Sequence, residues 1–157
     1  MMRGLLLTLL ACVAVSAKEP NPLRLRLVNR GEPTDIFYLE RDVTSEHFIT
    51  SLSSNHETVQ QIFPGSTFTI RSKDVRMMIT VTAAPKGSKS PIILSFHNMM
   101  AESPDQAFDL VYSGKVIANV LPRAPVSQNI YFTNTFVVTR GDHKFFEVGL
   151  FEGREEL

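Results

Sequence analysis

The sequence has few of the features that stabilise small exported domains or mark binding sites. Its single cysteine, Cys12, excludes a disulfide within the chain. It has no tryptophan, which argues against stacking sites for sugars or proline-rich peptides, and no Asn-x-Ser/Thr acceptor for N-glycosylation. Stability must therefore come from burial of apolar side chains or from a partner.

Patterns typical of catalytic and metal sites are also missing. The histidines stand in no His-x-His or His-Glu-x-x-His arrangement, and no Gly-x-Ser-x-Gly or glycine-rich phosphate loop occurs. The acidic residues are scattered over predicted loops. We therefore predict a protein that is not an enzyme and has no metal site and no cofactor. A small enzyme whose fold collects dispersed carboxylates is kept as a third hypothesis. The four histidines are His47, His56, His97 and His143.

The charge balance gives no attraction to polyanions. Sixteen basic and sixteen acidic residues leave a formal net charge of zero. No basic excess favours nucleic acid or anionic lipid, so we predict neither as a partner. No stretch reaches the roughly 18 apolar residues of a membrane span, so we predict no membrane insertion of the mature chain.

The first residues have the layout of a secretory signal peptide. Arg3 is followed by an apolar run over residues 5–15, and Val15-Ser16-Ala17 offers small residues at a cleavage site. The pattern predicts a signal peptide over 1–17, cleaved after Ala17. The alternative is a buried N-terminal helix.

The last four residues resemble the Lys-Asp-Glu-Leu retrieval signal of the endoplasmic reticulum. They lie at the end of a predicted tail over 152–157. Combined with a signal peptide, they predict a protein of the endoplasmic reticulum lumen. The alternatives are an ordinary charged tail and secretion. The four residues are Arg154, Glu155, Glu156 and Leu157.

One stretch of the chain occurs twice. Residues 66–74 and 134–142 both read Thr-Phe, then an aliphatic strand, then a polar turn ending in Asp. The similarity extends over most of the chain and predicts a duplicated β module: 18–82, a linker at 83–91 rich in Pro, Gly, Ser and Lys, and 92–151. Coincidence between two all-β patterns is the alternative.

Period-two alternation and turn residues predict six strands in each copy and no long helix. The expected fold is all-β, with two tandem small antiparallel β-sandwich modules packed together, as two touching sandwiches or one larger sandwich. The predicted strands are 23–27, 36–39, 48–52, 59–63, 67–71 and 76–82, then 92–96, 108–110, 116–121, 128–131, 135–139 and 144–151.

Two sets of residues have both a structural and a functional interpretation. The turn Arg140-Gly141-Asp142 is a candidate integrin-type adhesion loop, although Gly and Asp are also ordinary hairpin residues. The aromatic residues at strand spacing are expected to be core rather than a ligand platform. They are Phe37, Phe63, Phe68, Phe108, Tyr131, Phe136 and Phe146.

Four short motifs belong together: Val28-Asn29, residues 108–115, Leu121-Pro122 and the stretch 63–68, Phe-Pro-Gly-Ser-Thr-Phe. They resemble the β domain of the von Hippel–Lindau tumour suppressor and its relatives. The resemblance implies a small β-sandwich in each copy. The family's hydroxyproline pocket depends on a His and a Trp, where this sequence has Ser66 and Phe68 or Asn134 and Phe136, so the resemblance implies the fold and not the pocket.

The sequence therefore supports a non-catalytic lumenal protein that binds other polypeptides of the secretory pathway, as an accessory or chaperone-like subunit. The alternative is a secreted adhesion or ligand protein that uses the Arg140-Gly141-Asp142 loop.

Overall fold

The computed structural model describes residues 22–40, 45–101 and 104–152, which contain twelve strands. A 3₁₀ turn over Pro104–Gln106 is the only helical segment among them. The first half of the chain contributes β1 (Leu23–Asn29), β2 (Thr34–Leu39), β3 (Glu46–Leu52), β4 (Glu57–Ile62), β5 (Thr67–Arg71) and β6 (Arg76–Ala83). The second half contributes β7 (Ile92–Asn98), β8 (Phe108–Tyr112), β9 (Lys115–Val120), β10 (Val126–Ile130), β11 (Thr135–Arg140) and β12 (His143–Glu152).

The strands form two six-stranded sheets. Sheet A has the order β4-β1-β12-β11-β8-β9, and sheet B has the order β10-β7-β6-β5-β2-β3. All strand pairs within the sheets are antiparallel, and the apolar inner faces pack on each other. The predicted all-β class, with antiparallel sheets packed as a sandwich, is confirmed.

The two halves are interleaved. Each half places four strands in one sheet and two strands in the other. β1 pairs with β12, and β7 pairs with β6, so each half completes the sheet of the other. The counterparts in the two halves are β1 and β7, β2 and β8, and so on to β6 and β12. If every strand is replaced by its counterpart, the order of sheet A becomes the order of sheet B. The fold therefore has an internal pseudo-two-fold arrangement.

Two buried asparagines show how closely the halves correspond. Asn29 ends β1, and its Nδ2 donates to the carbonyl of Leu52 at 2.9 Å. Asn98 ends β7, and its Nδ2 donates to the carbonyl of Val120 at 2.9 Å. In each half the asparagine Oδ1 accepts from the backbone N–H two residues later. Each amide thus ties the end of one sheet to an edge strand of the other sheet.

The turns also match between the halves. Asn55 and Arg123 both have a positive φ, at 66° and 62°, and so do Gly65 and Thr133, at 97° and 69°. The left-handed backbone region is unfavourable for most L-residues, and it recurs here at matching positions in the two halves. The correspondence therefore lies in backbone geometry and not only in hydrophobic pattern.

The core lies between the sheets and is formed by alternate residues of every central strand. In β6, Met77, Ile79 and Val81 share one face and are fully buried. Phe96 of sheet B meets Phe136 of sheet A edge-on, with ring centroids 6.3 Å apart. These contacts join the two sheets at their centres.

The expectation that the repeated aromatics are core residues is wrong for three of them, because Phe37 is only half-buried outside the core and Phe63 and Tyr131 are exposed. Phe68, Phe108, Phe136 and Phe146 are buried, but Phe63 is 60% exposed and Tyr131 is 42% exposed. Both exposed rings follow an edge strand, β4 or β10, at the same position of the two halves. The strand pattern therefore locates both rings at the ends of corresponding strands. Each ring lies one residue beyond its strand and outside the core.

Candidate ligand-binding surfaces

The predicted site residues fall into two groups. Ala17 and the four residues Arg154, Glu155, Glu156 and Leu157 lie outside the described residues. The turn Arg140-Gly141-Asp142 joins β11 to β12, with Gly141 at φ 59°. Gly141 supplies the left-handed conformation that such a tight hairpin requires.

Arg140 is held by the fold rather than presented by the turn. Its guanidinium carbon lies 4.5 Å from the ring centroid of Phe108 and 5.4 Å from that of Phe145. Its Nε donates to the carbonyl of Ala107 at 3.1 Å. Asp142 is exposed. The geometry thus gives Arg140 a packing role beneath the turn.

The histidines and acids do not gather into a metal site. No group of three or more His, Cys, Asp or Glu side chains is placed to hold a metal ion in the described part of the chain. His97, on the outer face of β7, lies 3.4 Å from the Thr80 hydroxyl, and burial lowers its pKa below the ordinary 6.5. The neutral form of His97 is therefore favoured at pH 7.

The first depression of interest lies where the two sheets meet on one side of the sandwich. We call it the amide pocket; it has a volume of about 320 Å³. Its lining combines three amide side chains, two tyrosines and two apolar side chains, and contains no charged group. These residues are Tyr112, Ile117, Gln128, Asn129, Tyr131, Asn134 and Phe136.

The walls of the amide pocket are partly fixed by contacts within the fold. The Tyr112 hydroxyl donates to Asn134 Oδ1 at 3.3 Å, and the Tyr112 ring packs on buried Phe136 with centroids 5.6 Å apart. Ile117 is 40% exposed beside them. The pocket thus has an aromatic floor and rims of neutral hydrogen-bonding groups.

Two unpaired strand edges flank the amide pocket. β9 is the last strand of sheet A and β10 is the first strand of sheet B, so among the strands that the structure describes each pairs with a neighbour on one side only. β9 begins with Lys115 and continues with Val116, which is 58% exposed, and Ile117. An apolar edge with a single lysine at its start is a template for pairing with another extended chain.

The equivalent place in the first half is more closed. There Tyr38 packs on Phe68 with ring centroids 5.9 Å apart, and both Tyr38 and Ile49 lie against the hydrophobic core. In the second half the corresponding Tyr112 and Ile117 are exposed. The sequence showed the repeated motif 60–63 and 128–131, but it did not show which copy leaves a cavity.

A second depression lies on the outer face of sheet B, and we call it the methionine pocket. Its volume is about 390 Å³. Its apolar part is formed by Leu39, Met78 and Met99, and its polar part by Glu46, Thr69, Arg71 and Arg76. Sequence analysis did not identify it, because it forms only when β2, β5 and β6 lie side by side.

A smaller depression continues past Met99. It has a volume of about 230 Å³ and is lined by His97, Met100, Arg123 and Pro125, among others. The two depressions share Met99, so this side chain separates them on the surface.

Comparison with known proteins adds no assignment. No family model matches this chain, and searches of curated proteins and of solved structures return no significant match. No helix in the described ranges has the length and apolar character to cross a membrane.

Proposed function

We propose that this protein is a non-catalytic accessory or chaperone-like protein of the endoplasmic reticulum lumen that binds extended polypeptide segments at the amide pocket and the adjoining edge of β9. The observation that carries the proposal is the position of the uncharged aromatic pocket directly beside an unpaired, exposed apolar strand edge.

A polypeptide fits the chemistry of this surface. Its backbone supplies neutral donors and acceptors for an open strand edge, and alternate side chains reach the neighbouring pocket. Gln128, Asn129 and Asn134 offer further neutral hydrogen-bonding groups. Tyrosine adds contact area at low cost in conformational entropy, which favours Tyr112 and Tyr131 as anchors. The absence of charge in the lining favours recognition of backbone over recognition of a particular charged sequence.

Localisation rests on the sequence. The predicted signal peptide and the resemblance of Arg154-Glu155-Glu156-Leu157 to a retrieval signal support a lumenal place of action. The Arg140-Gly141-Asp142 loop gains no support as an adhesion site, because the Arg140 guanidinium is stacked on Phe108 and hydrogen-bonded to Ala107.

Deleting residues 154–157 is expected to release the protein into the medium. Retrieval depends on recognition of the terminal four residues, so a chain without them follows bulk flow. The measurement is the ratio of secreted to cellular protein in a pulse-chase experiment. Replacing the tail by Lys-Asp-Glu-Leu is the control and should restore retention. Equal distribution of the full-length and truncated chains would contradict the proposal.

Changing Tyr131 to alanine is expected to weaken polypeptide binding about tenfold, the usual loss when an aromatic anchor is removed. The probe is a reduced and alkylated model protein, with affinity measured by fluorescence anisotropy. Phe63→Ala is the matched control, because Phe63 is exposed at the equivalent position of the more closed half. Its effect should stay within about twofold.

Equal losses from Tyr131→Ala and Phe63→Ala would contradict a single open site. No binding by the unchanged protein would contradict the proposed function itself. Val116→Lys tests the strand edge separately, since Val116 is 58% exposed on β9 and is not among the lining residues of the amide pocket. An edge lysine opposes strand addition and should weaken binding without altering the pocket.

A further inference from the structure

We infer that the methionine pocket is a second binding site, for a ligand that carries one carboxylate on a compact apolar group. This site lies on the outer face of sheet B, away from the pocket between β9 and β10, and its existence does not depend on polypeptide binding there.

The apolar part of the pocket is exposed and adaptable. Met99 is 55% exposed just after β7, and Met78 lies in the middle of β6 on the outward side of the sheet. Leu39 closes the pocket from the end of β2. Methionine side chains are unbranched and polarisable, so they adjust to apolar groups of different shape.

The described lining residues carry one positive charge in excess, with Arg71 and Arg76 against Glu46. Arg71 forms an ion pair with Glu46, and its guanidinium stacks on Phe37 at 4.2 Å from the ring centroid. Arg71 Nε is buried and has no hydrogen-bond partner among the residues that the structure describes. Arg76 is exposed beside it and takes part in no ion pair with any residue that the structure describes. Two guanidinium groups and one carboxylate leave one positive charge unbalanced, which can bind one further anion.

The matching place on sheet A shows what this surface looks like without a pocket. Met99 N donates to the carbonyl of Arg76 at 2.8 Å, and Arg30 N donates to the carbonyl of Phe145 at 2.8 Å. These two contacts are equivalent in the two halves, so Arg30 stands where Met99 stands.

The same comparison places Glu147 where Met78 stands, because each is the residue after the inward-facing Met77 or Phe146. Arg30 and Glu147 form an ion pair, with Nη2 and Nε at 2.9 and 3.1 Å from Oε2. On sheet A the position is therefore filled by two side chains that satisfy each other. On sheet B both are replaced by methionines, which leaves an apolar floor below two guanidinium groups.

A carboxylate held by Arg76 and Arg71 would place its apolar group on Met78, Met99 and Leu39. Two sources offer this chemistry: a medium-chain fatty acid and the C-terminal residue of a peptide. The volume of about 390 Å³ is near the lower end for ligand pockets, which favours a small apolar group over a long chain.

The experiment is titration of the full mature chain, labelled at the methionine methyl groups, and followed by NMR. The probes are octanoate and N-acetyl-leucine, with octanol and N-acetyl-leucine amide as uncharged counterparts. Saturable shifts of the Met78 and Met99 methyl signals with the acids, and at least about tenfold weaker binding of the uncharged probes, are expected. Preference between the two acids identifies the source.

Two variants make the test specific. Met78→Glu combined with Met99→Arg installs the ion pair that sheet A already accommodates, so it should abolish binding in a folded protein. Because this variant lacks both methyl reporters, its binding is followed by the backbone amide signals of β5 and β6, compared with those of the unchanged protein. Arg76→Gln should weaken binding about tenfold, whereas Lys144→Gln, an exposed cation on sheet A, should leave it unchanged. Equal affinity for acids and uncharged probes, binding by the double variant, or no saturable shift with either acid would overturn the inference.

Discussion

Replacing Asn29 by alanine is expected to lower the free energy of unfolding by about 3 kcal/mol. The amide donates to Leu52 O at 2.9 Å in a buried setting and to Glu32 O at 2.8 Å, and its Oδ1 accepts from Gly31 N at 3.1 Å. Alanine removes these bonds, so the Leu52 carbonyl loses its amide donor in a buried setting. Each unsatisfied buried group costs about 1–3 kcal/mol, and water reaches only the more exposed partners.

The same substitution at Asn98 is expected to cost a similar amount, because its amide donates to Gln106 O at 2.7 Å and Val120 O at 2.9 Å. Urea denaturation measures both. Asn119→Ala is the control: Asn119 is an exposed partner of Asp109, and its loss should stay within about 0.5 kcal/mol. A loss of less than about 1 kcal/mol in the free energy of unfolding for Asn29→Ala would contradict a stabilising role for the contact between the Asn29 amide and the edge of sheet B.

Neither half of the chain is expected to fold as a monomer, whereas an equimolar mixture of the two should restore the native fold. Residues 18–86 alone leave β1 without β12 and β6 without β7, so two strands lose a neighbour and the apolar inner faces lose their cover. A chain of about 70 residues without cross-links is only marginally stable, so the loss of these contacts is expected to prevent folding.

The cut belongs in the exposed turn after Lys86, because Ser90 is buried and its hydroxyl donates to Ile92 O and Ile130 O of the second half. Light scattering and two-dimensional NMR of each half and of the mixture give the answer. The uncut chain is the control. A dispersed spectrum from a monomeric half would contradict the interleaved topology.

The sequence predicted each strand because its signals are local. Leu23, Leu25 and Leu27 alternate with arginines in β1, and Thr67-Phe68 returns as Thr135-Phe136 at the matching place in β11. Both phenylalanines are buried as the pattern requires. Such periodicity needs no knowledge of which strand lies beside which.

Pairing between distant strands was not visible in the same way. Phe37 and Phe108 lie in corresponding predicted strands, 36–39 and 108–110, but the two rings are not counterparts. The register instead places Ile36 opposite Ile70 and Leu110 opposite Val138, so Leu110 is the counterpart of Ile36. Register is fixed by lateral neighbours, and these lie far apart along the chain.

The surfaces escaped prediction for the same reason. Met78 lies on the outward face of β6 between buried Met77 and Ile79. Nothing in the local sequence shows that it lies beside Thr69 and His97 or near Met99. The methionine pocket could have been found by comparing the two copies, because Glu147 and Arg30 of one copy correspond to Met78 and Met99 of the other. That comparison requires the correct register of the halves.

The covalent link between the halves has a consequence for what the surface can present. A homodimer built from one such half would be isologous, so any change in one face would appear in both. A single chain is free of that constraint: the Arg30–Glu147 pair persists on one face while Met78 and Met99 stand on the other. Fusion thus permits an asymmetric protein on a symmetric scaffold, with each face open to separate specialisation.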